Sequence, residues 1–78
     1  MSKIAIGLPA FNEGKNIASI ILQLKKKYEL IIVCDDGSDD LTASISEKMG
    51  AIVVKHKKNL GYGVAIRSLF SKARELYK

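Results

Sequence analysis

One cysteine, one proline and no tryptophan occur among the 78 residues of this chain, and aromatic residues make up only 6% of it. A single thiol rules out an internal disulfide. Cys34 sits beside Ile31-Ile32-Val33, so it reads as a small buried hydrophobe in a reduced, intracellular setting. Aromatics this few, and not interleaved with the basic residues, argue against a nucleic-acid partner. No stretch approaches 18 apolar residues and no apolar signal region opens the chain. The expectation is a cytoplasmic protein, at most peripheral at the cytoplasmic face of a membrane. Linkers rich in Ser, Gly or Pro and low-complexity repeats are also missing.

What is present describes one small α/β domain spanning residues 1–78. Hydrophobic residues make up 47% of the chain and the net charge is +5, which suits a folded globular piece. A chain this short buries only roughly 60–65% of its unfolded surface, so its core is marginal on its own. Charge is unevenly spread: Lys25, Lys26 and Lys27 form one cluster, Lys55, Lys57 and Lys58 another, and acids gather at 35–40. Lysines closing a helix complement its dipole. The second cluster precedes a glycine-rich turn, which leaves contact with phosphate or an acidic membrane open.

Three strand-then-helix units can be read. Lys3–Leu8, Glu29–Cys34 and Ala51–Lys55 are short apolar runs, nearly uninterrupted, as strands covered on both faces tend to be, with Pro9 expected to halt the first. Ile17, Ile20, Ile21, Leu24 and Tyr28 recur at helical spacing, with Asn12 as the expected cap and Glu13 in the first turn. A second helix is expected over Asp39–Met49, capped by Ser38 and stopped by Gly50, burying Leu41, Ile45 and Met49. A third is expected from near Gly61, with Ile66, Phe70, Ala73 and Tyr77 on one side. This order predicts right-handed parallel crossovers: a three-layer βαβαβα half of a Rossmann-like sheet, strand order 3-2-1. It leaves strand 1 as an apolar edge that invites pairing with another copy.

The carboxyl ends of the strands then share one rim, where ligands bind in open α/β sheets. The rim carries Pro9 to Glu13, Asp35 to Asp40 and His56 to Gly63. A dinucleotide site needs G-x-G-x-x-G after strand 1, and the turn here is L-P-A-F-N-E-G. The adjacent acidic pairs do not fit an EF-hand loop. His56 reads as a solvent-facing loop residue, Asn12 as a cap, and Phe11 as either a core plug or a platform for a base. A fixed carboxylate is a natural acceptor for the imide N–H of uracil or guanine, and residues 55–63 offer cations and amides for a diphosphate.

Three segments, L-P-A-F-N-E-G-K-N-I (8–17), V-C-D-D-G-S-D-D-L-T (33–42) and N-L-G-Y-G-V-A-I (59–66), resemble the opening motifs of family-2 glycosyltransferases of the GT-A fold, especially those that make dolichyl-phosphate mannose and glucose. The resemblance spans nearly the whole chain and implies a sheet serving a UDP- or GDP-sugar. It places Pro9, Ala10, Phe11 and Glu13 at the nucleoside, and Phe11 replaces a more usual Tyr. Asp36 falls where a carboxylate accepts from the base, and Asp35 beside it orients the turn. Gly61 and Gly63 would let backbone approach the ligand, and Lys58 would meet phosphate.

The resemblance further implies that the chain is the nucleotide-recognising part of a longer, inverting enzyme whose acceptor is a lipid phosphate or a saccharide. Its divalent metal (Mg or Mn) would be held by a D-x-D motif, and no Asp-x-Asp occurs here. No catalytic or metal residue is therefore expected in this chain, which alone would be inactive. Two competing readings stay open: a non-catalytic module that self-associates through strand 1, and a small hydrolase or nucleotidyltransferase using the acidic pairs with a metal.

Overall fold

The structure is a computed structural model that describes residues 4–77. Strands β1 (Ala5–Ala10), β2 (Leu30–Asp36) and β3 (Ile52–His56) alternate with helices α1 (Ile17–Lys25), α2 (Thr42–Lys48) and α3 (Tyr62–Leu76). The sheet is parallel with β2 in the centre, the expected 3-2-1 order. Ala5 pairs with Leu30 and Ala10 with Asp35, while Ile32 to Asp36 run beside Ile52 to His56.

Alternation along β2 sorts its side chains between two layers. Ile31 and Val33 join Ile17, Ile21 and Ala51 in a core lying under α1 and α2. Ile32 and Cys34 face the other way, onto Ala65 and Leu69 of α3. Residues 31–36 are buried throughout, which is why β2 carries no polar face. Each isoleucine buried in this way contributes about 1.5–3 kcal/mol. The change of side by α3 is that of a doubly wound sheet. Among the described residues β1 pairs only with β2, so its outer edge is open.

The boundaries differ from expectation where local chemistry outweighs pattern. Pro9 does not halt β1, which continues to Ala10. Proline lacks only a donor, and an edge strand tolerates that loss. β2 extends through both aspartates and β3 through His56.

Asn12 does not cap α1. It adopts φ 52°, a left-handed conformation asparagine tolerates, and α1 begins five residues later. Its N–H instead donates to Ser38 Oγ (2.8 Å) and its Oδ1 accepts from the Asp39 N–H (2.9 Å). Glu13 likewise precedes the helix rather than lying in its first turn, and its carbonyl accepts from the N–H groups of Asn16 and Ile17.

α2 begins at Thr42, not Asp39, because Asp40 Oδ1 accepts from the Thr42 N–H (2.9 Å) and from its hydroxyl. Ser38 lies four residues before it and does not cap it, its Oγ being taken by the Asn12 N–H. Gly50, at φ 92°, stops it as expected, with Gly50 N–H on the Glu47 carbonyl and Ala51 N–H on that of Ser46. Those two bonds define a Schellman ending.

Two apolar stripes keep part of their expected membership, Ile45 and Met49 at α2 and Ile66 and Ala73 on α3 packing against the cores, while other members turn outward. Leu41 is 67% exposed, and α2 instead buries Thr42, Ala43 and Ser46. Ser46 buries its hydroxyl by donating to the Thr42 carbonyl (2.7 Å). On α3, Phe70 is 69% exposed, Tyr77 is exposed as well, and Ala65 and Leu69 face the sheet. Small Ala65 allows the close approach that a phenylalanine at that place would prevent.

No helix among the described residues is long and apolar enough to cross a membrane.

Candidate functional site

Two neighbouring carboxylates end β2, and the pleat points them to opposite faces. Asp35 lies in the phase of Ile31 and Val33, Asp36 in that of Ile32 and Cys34. Each does a different job.

Asp35 is buried, and its Oδ1 accepts from the Ser38 N–H at 3.1 Å. Its Oδ2 has no hydrogen-bond partner among the described residues. Around this turn the loop after β1 is laced to the loop after β2. Besides the two Asn12 bonds, Glu13 N–H donates to Thr42 Oγ1 (3.0 Å) and Gly14 N–H to Asp40 Oδ2 (3.0 Å). The Thr42 hydroxyl bond, first, and then backbone donors from Thr42 and Gly14 hold the Asp40 carboxyl below its ordinary value. The Asp40 carboxylate and the Asp39 backbone N–H thus help fasten two rim loops together.

Asp36 collects three donors from the β3–α3 side. Its Oδ1 meets His56 Nδ1 at 2.8 Å and accepts the Leu60 N–H at 2.9 Å, and its Oδ2 accepts the Gly61 N–H at 3.0 Å. These bonds, led by that of His56, hold its carboxyl below the ordinary value against the opposing effect of burial. A carboxylate offers about four acceptor positions, so one direction on Oδ2 remains unused.

The loop follows this path because Gly37, at φ 76°, lies directly beneath it. A Cβ there would come within 2.2 Å of the Lys58 carbonyl carbon and 2.4 Å of the Asn59 nitrogen. Gly61 at φ 100° then turns the chain into α3.

These elements enclose a cleft of about 180 Å³ at the rim between β1 and the start of α3. Of the residues expected at a ligand, Pro9, Ala10, Phe11, Asp36 and Gly61 line it, joined by Asn59, Tyr62 and Ala65. Phe11 is 46% exposed and walls the cleft, so it is not a core plug. Glu13, Asp35, Lys58 and Gly63 do not line it. Lys58 is exposed with its backbone over Gly37, and Gly63 is in the first turn of α3 with open space where a Cβ would stand.

His56 is the residue that sequence reasoning missed. Far from facing solvent in a loop, it ends β3 opposite Asp36, with only 10% of its side chain exposed. Nε2 meets Ser68 Oγ of α3 at 2.8 Å. The signal was the register: extending β3 by one residue puts position 56 beside 36 on the same face. Cys34 packs against this ring, its Sγ 3.7 Å from Nε2. Burial first, then the negative charges of Asp36 and Asp35, push its thiol up to about 11, so it stays protonated.

No group of three or more His, Cys, Asp or Glu able to hold a metal ion occurs among the described residues.

The glycosyl transferase family 2 model matches residues 5–77. The chain is 36% identical over 67 residues to a dolichyl-phosphate hexose transferase of Haloferax volcanii, a match covering 83% of this chain and 29% of that protein. It is 32% identical to the UDP-N-acetylglucosamine–dolichyl-phosphate N-acetylglucosaminyltransferase of Methanococcus voltae, over 88% of this chain and 35% of the relative. Among solved structures, glucosyl-3-phosphoglycerate synthase of Mycobacterium tuberculosis matches with a TM-score of 0.58 and 37% identity, over 68% of this chain and 20% of that one. The chain thus spans about a third or less of the length of these relatives.

Proposed function

Since the chain belongs to glycosyl transferase family 2, we propose that its rim cleft binds the nucleotide of a UDP- or GDP-sugar donor. The observation that carries this reading is Asp36, an ionised carboxylate fixed at the cleft with one acceptor direction unspent. It takes the imide N–H of uracil or guanine, a donor that cytosine lacks. Pro9, Ala10 and the ring of Phe11 form the apolar wall for the base. The diphosphate lies toward the start of α3, whose first amides are unspent donors, with Gly61 and Gly63 permitting close approach and Lys58 adding charge. Glu13 and Asp35 act at one remove, holding the rim loops.

In this reading the chain is the nucleotide-binding N-terminal part of a GT-A domain and is inactive alone. The whole enzyme is an inverting transferase to a lipid phosphate or saccharide, working at the cytoplasmic face of a membrane. There a base-activated acceptor oxygen attacks the anomeric carbon as the nucleoside diphosphate leaves. A divalent metal would steady that diphosphate; no group of three or more His, Cys, Asp or Glu is gathered to hold one among the described residues.

The test is calorimetric titration of the chain with UDP- and GDP-sugars. Saturable binding of one of them, lost in Asp36→Ala, is expected. No binding of either, or undiminished binding by the variant, would overturn the reading. The open β1 edge also favours self-association. Sedimentation at several concentrations is expected to show a homo-oligomer, and a monomer at all of them would remove that part.

A further inference from the structure

Asp36 is held by two kinds of donor. The amides of Leu60 and Gly61 belong to a loop, whereas the His56 ring rises from the end of β3 and is itself fixed by Ser68 on α3. An ionised carboxylate only accepts, so Nδ1 of His56 carries the proton. In the neutral ring Nε2 then accepts from the Ser68 hydroxyl. The ring is closed in, with 10% of its side chain exposed, and Cys34 beneath it remains a thiol. This is a rigid line of three groups running from the cleft across the sheet to the helix that covers it.

We propose that His56 and Ser68 are positioning residues for base discrimination: they orient the Asp36 carboxylate so that its free acceptor direction meets an imide N–H and refuses a base without one. The inference deepens the nucleotide reading above and rests on it. A carboxylate held only by loop amides can turn about its side-chain torsions and accept from water or another donor. One held from β3 and α3 as well presents a fixed lone pair, and fixed geometry makes a hydrogen bond selective. Ser68 touches neither the cleft nor its proposed ligand. It lines a separate groove with Val53, Val54, Ser71, Lys72 and Glu75, so any effect it has on base choice must travel through His56.

The same sequence of carboxylate, imidazole and hydroxyl occurs in nucleophile relays. Ser68 lies inside α3, where its backbone amide is spent in the helix. Its hydroxyl is therefore read as an anchor, and the test below includes the chemical signature of a nucleophile.

The experiment is calorimetric titration of the chain with UDP, GDP and CDP, reading the ratio of affinities for the better imide nucleotide and for CDP. The fold of each variant is checked by circular dichroism. Wild type is expected to favour the imide nucleotide by about ten- to a hundredfold, the range for one hydrogen bond to a charged group. His56→Phe and Ser68→Ala are expected to bring that ratio down at least about threefold. His56→Asn, which keeps an N–H donor toward Asp36, retains more of it than His56→Phe, and Ser71→Ala leaves it unchanged.

A uniform loss of affinity for all three nucleotides would mark a merely structural role and overturn the proposal. So would an unchanged ratio in folded Ser68→Ala, or labelling of Ser68 by a fluorophosphonate. If wild type binds none of the nucleotides, the nucleotide reading falls and this inference with it. Discrimination by wild type that the variants do not disturb sinks this inference alone.

Discussion

Replacing Gly37 by alanine tests whether the cleft loop is seated as described. Gly37 has φ 76°, and its added Cβ would stand 2.2 Å from the Lys58 carbonyl carbon, a backbone atom. The left-handed conformation alone costs an alanine about 1–2 kcal/mol. Ordinary contact begins near 3.4 Å, so the 58–59 backbone must also retreat by about 1.2 Å. Passed along to residues 60 and 61, that shift carries their N–H groups, now 2.9 and 3.0 Å from Asp36, out of hydrogen-bonding range.

Gly50→Ala is the matched control. Its φ is 92°, but its Cβ would meet only the flexible tip of Lys25, at 2.3 Å from Nζ. Gly50→Ala is expected to lose about 1–2 kcal/mol, and Gly37→Ala about 2–4 kcal/mol. At roughly 0.05–0.15 kcal/mol per residue the whole chain has only about 4–12 kcal/mol to lose. Urea unfolding followed by circular dichroism reads both variants. With a slope of about 1 kcal/mol/M, the Gly37→Ala midpoint falls by about 2 M or more. Equal midpoints for the two variants would refute the reasoning, since they would mean that the backbone at Lys58 and Asn59 does not lie over Gly37.

Gly63 is helical with open space around its Cβ position, so Gly63→Ala is expected to raise stability by about 0.5–1 kcal/mol in the same assay. Ile21 is fully buried, and Ile21→Ala is expected to cost about 2–5 kcal/mol by urea unfolding. Asp36 and Asp40 have carboxyls lowered from their usual 3.8. As pH falls below that value the unfolded chain takes up protons first, so the stability these groups contribute is present above about pH 3.8 and is lost below it; acid titration is expected to show Asp36→Asn with a shallower loss. Cys34, with its thiol pushed up to about 11, is expected to resist Ellman's reagent at pH 8 in the folded chain and to react promptly in urea; prompt reaction in both conditions would contradict its burial.

The order of elements and the rim were legible in the sequence because they depend on local matters. Apolar runs such as Ile31–Val33 read as buried strands wherever they sit, and glycine after Met49 ends a helix by its own backbone freedom. Helix starts were less legible. Asn12 and Ser38 have the chemistry of caps, and the sequence does not say that each finds its partner in the opposite loop. The apolar face of α3 was half-read for a similar reason: Ile66 and Ala73 do pack against the sheet, but Phe70 and Tyr77 stay exposed, and only the closeness of the sheet puts Ala65 and Leu69 at the centre of the buried face.

Taken alone, the sequence determined which residues could be strands, that the crossovers run one way, and that Pro9, Phe11, Asp36 and Gly61 converge at one rim. Only the tertiary structure decided what each carboxylate does there. The pleat sends Asp35 and Asp36 to opposite faces, and the pairing of β3 with β2 brings His56, twenty residues away, to 2.8 Å from Asp36. Hydrophobic pattern is read along a chain, whereas a hydrogen-bond partner is chosen across space, by the register in which strands meet.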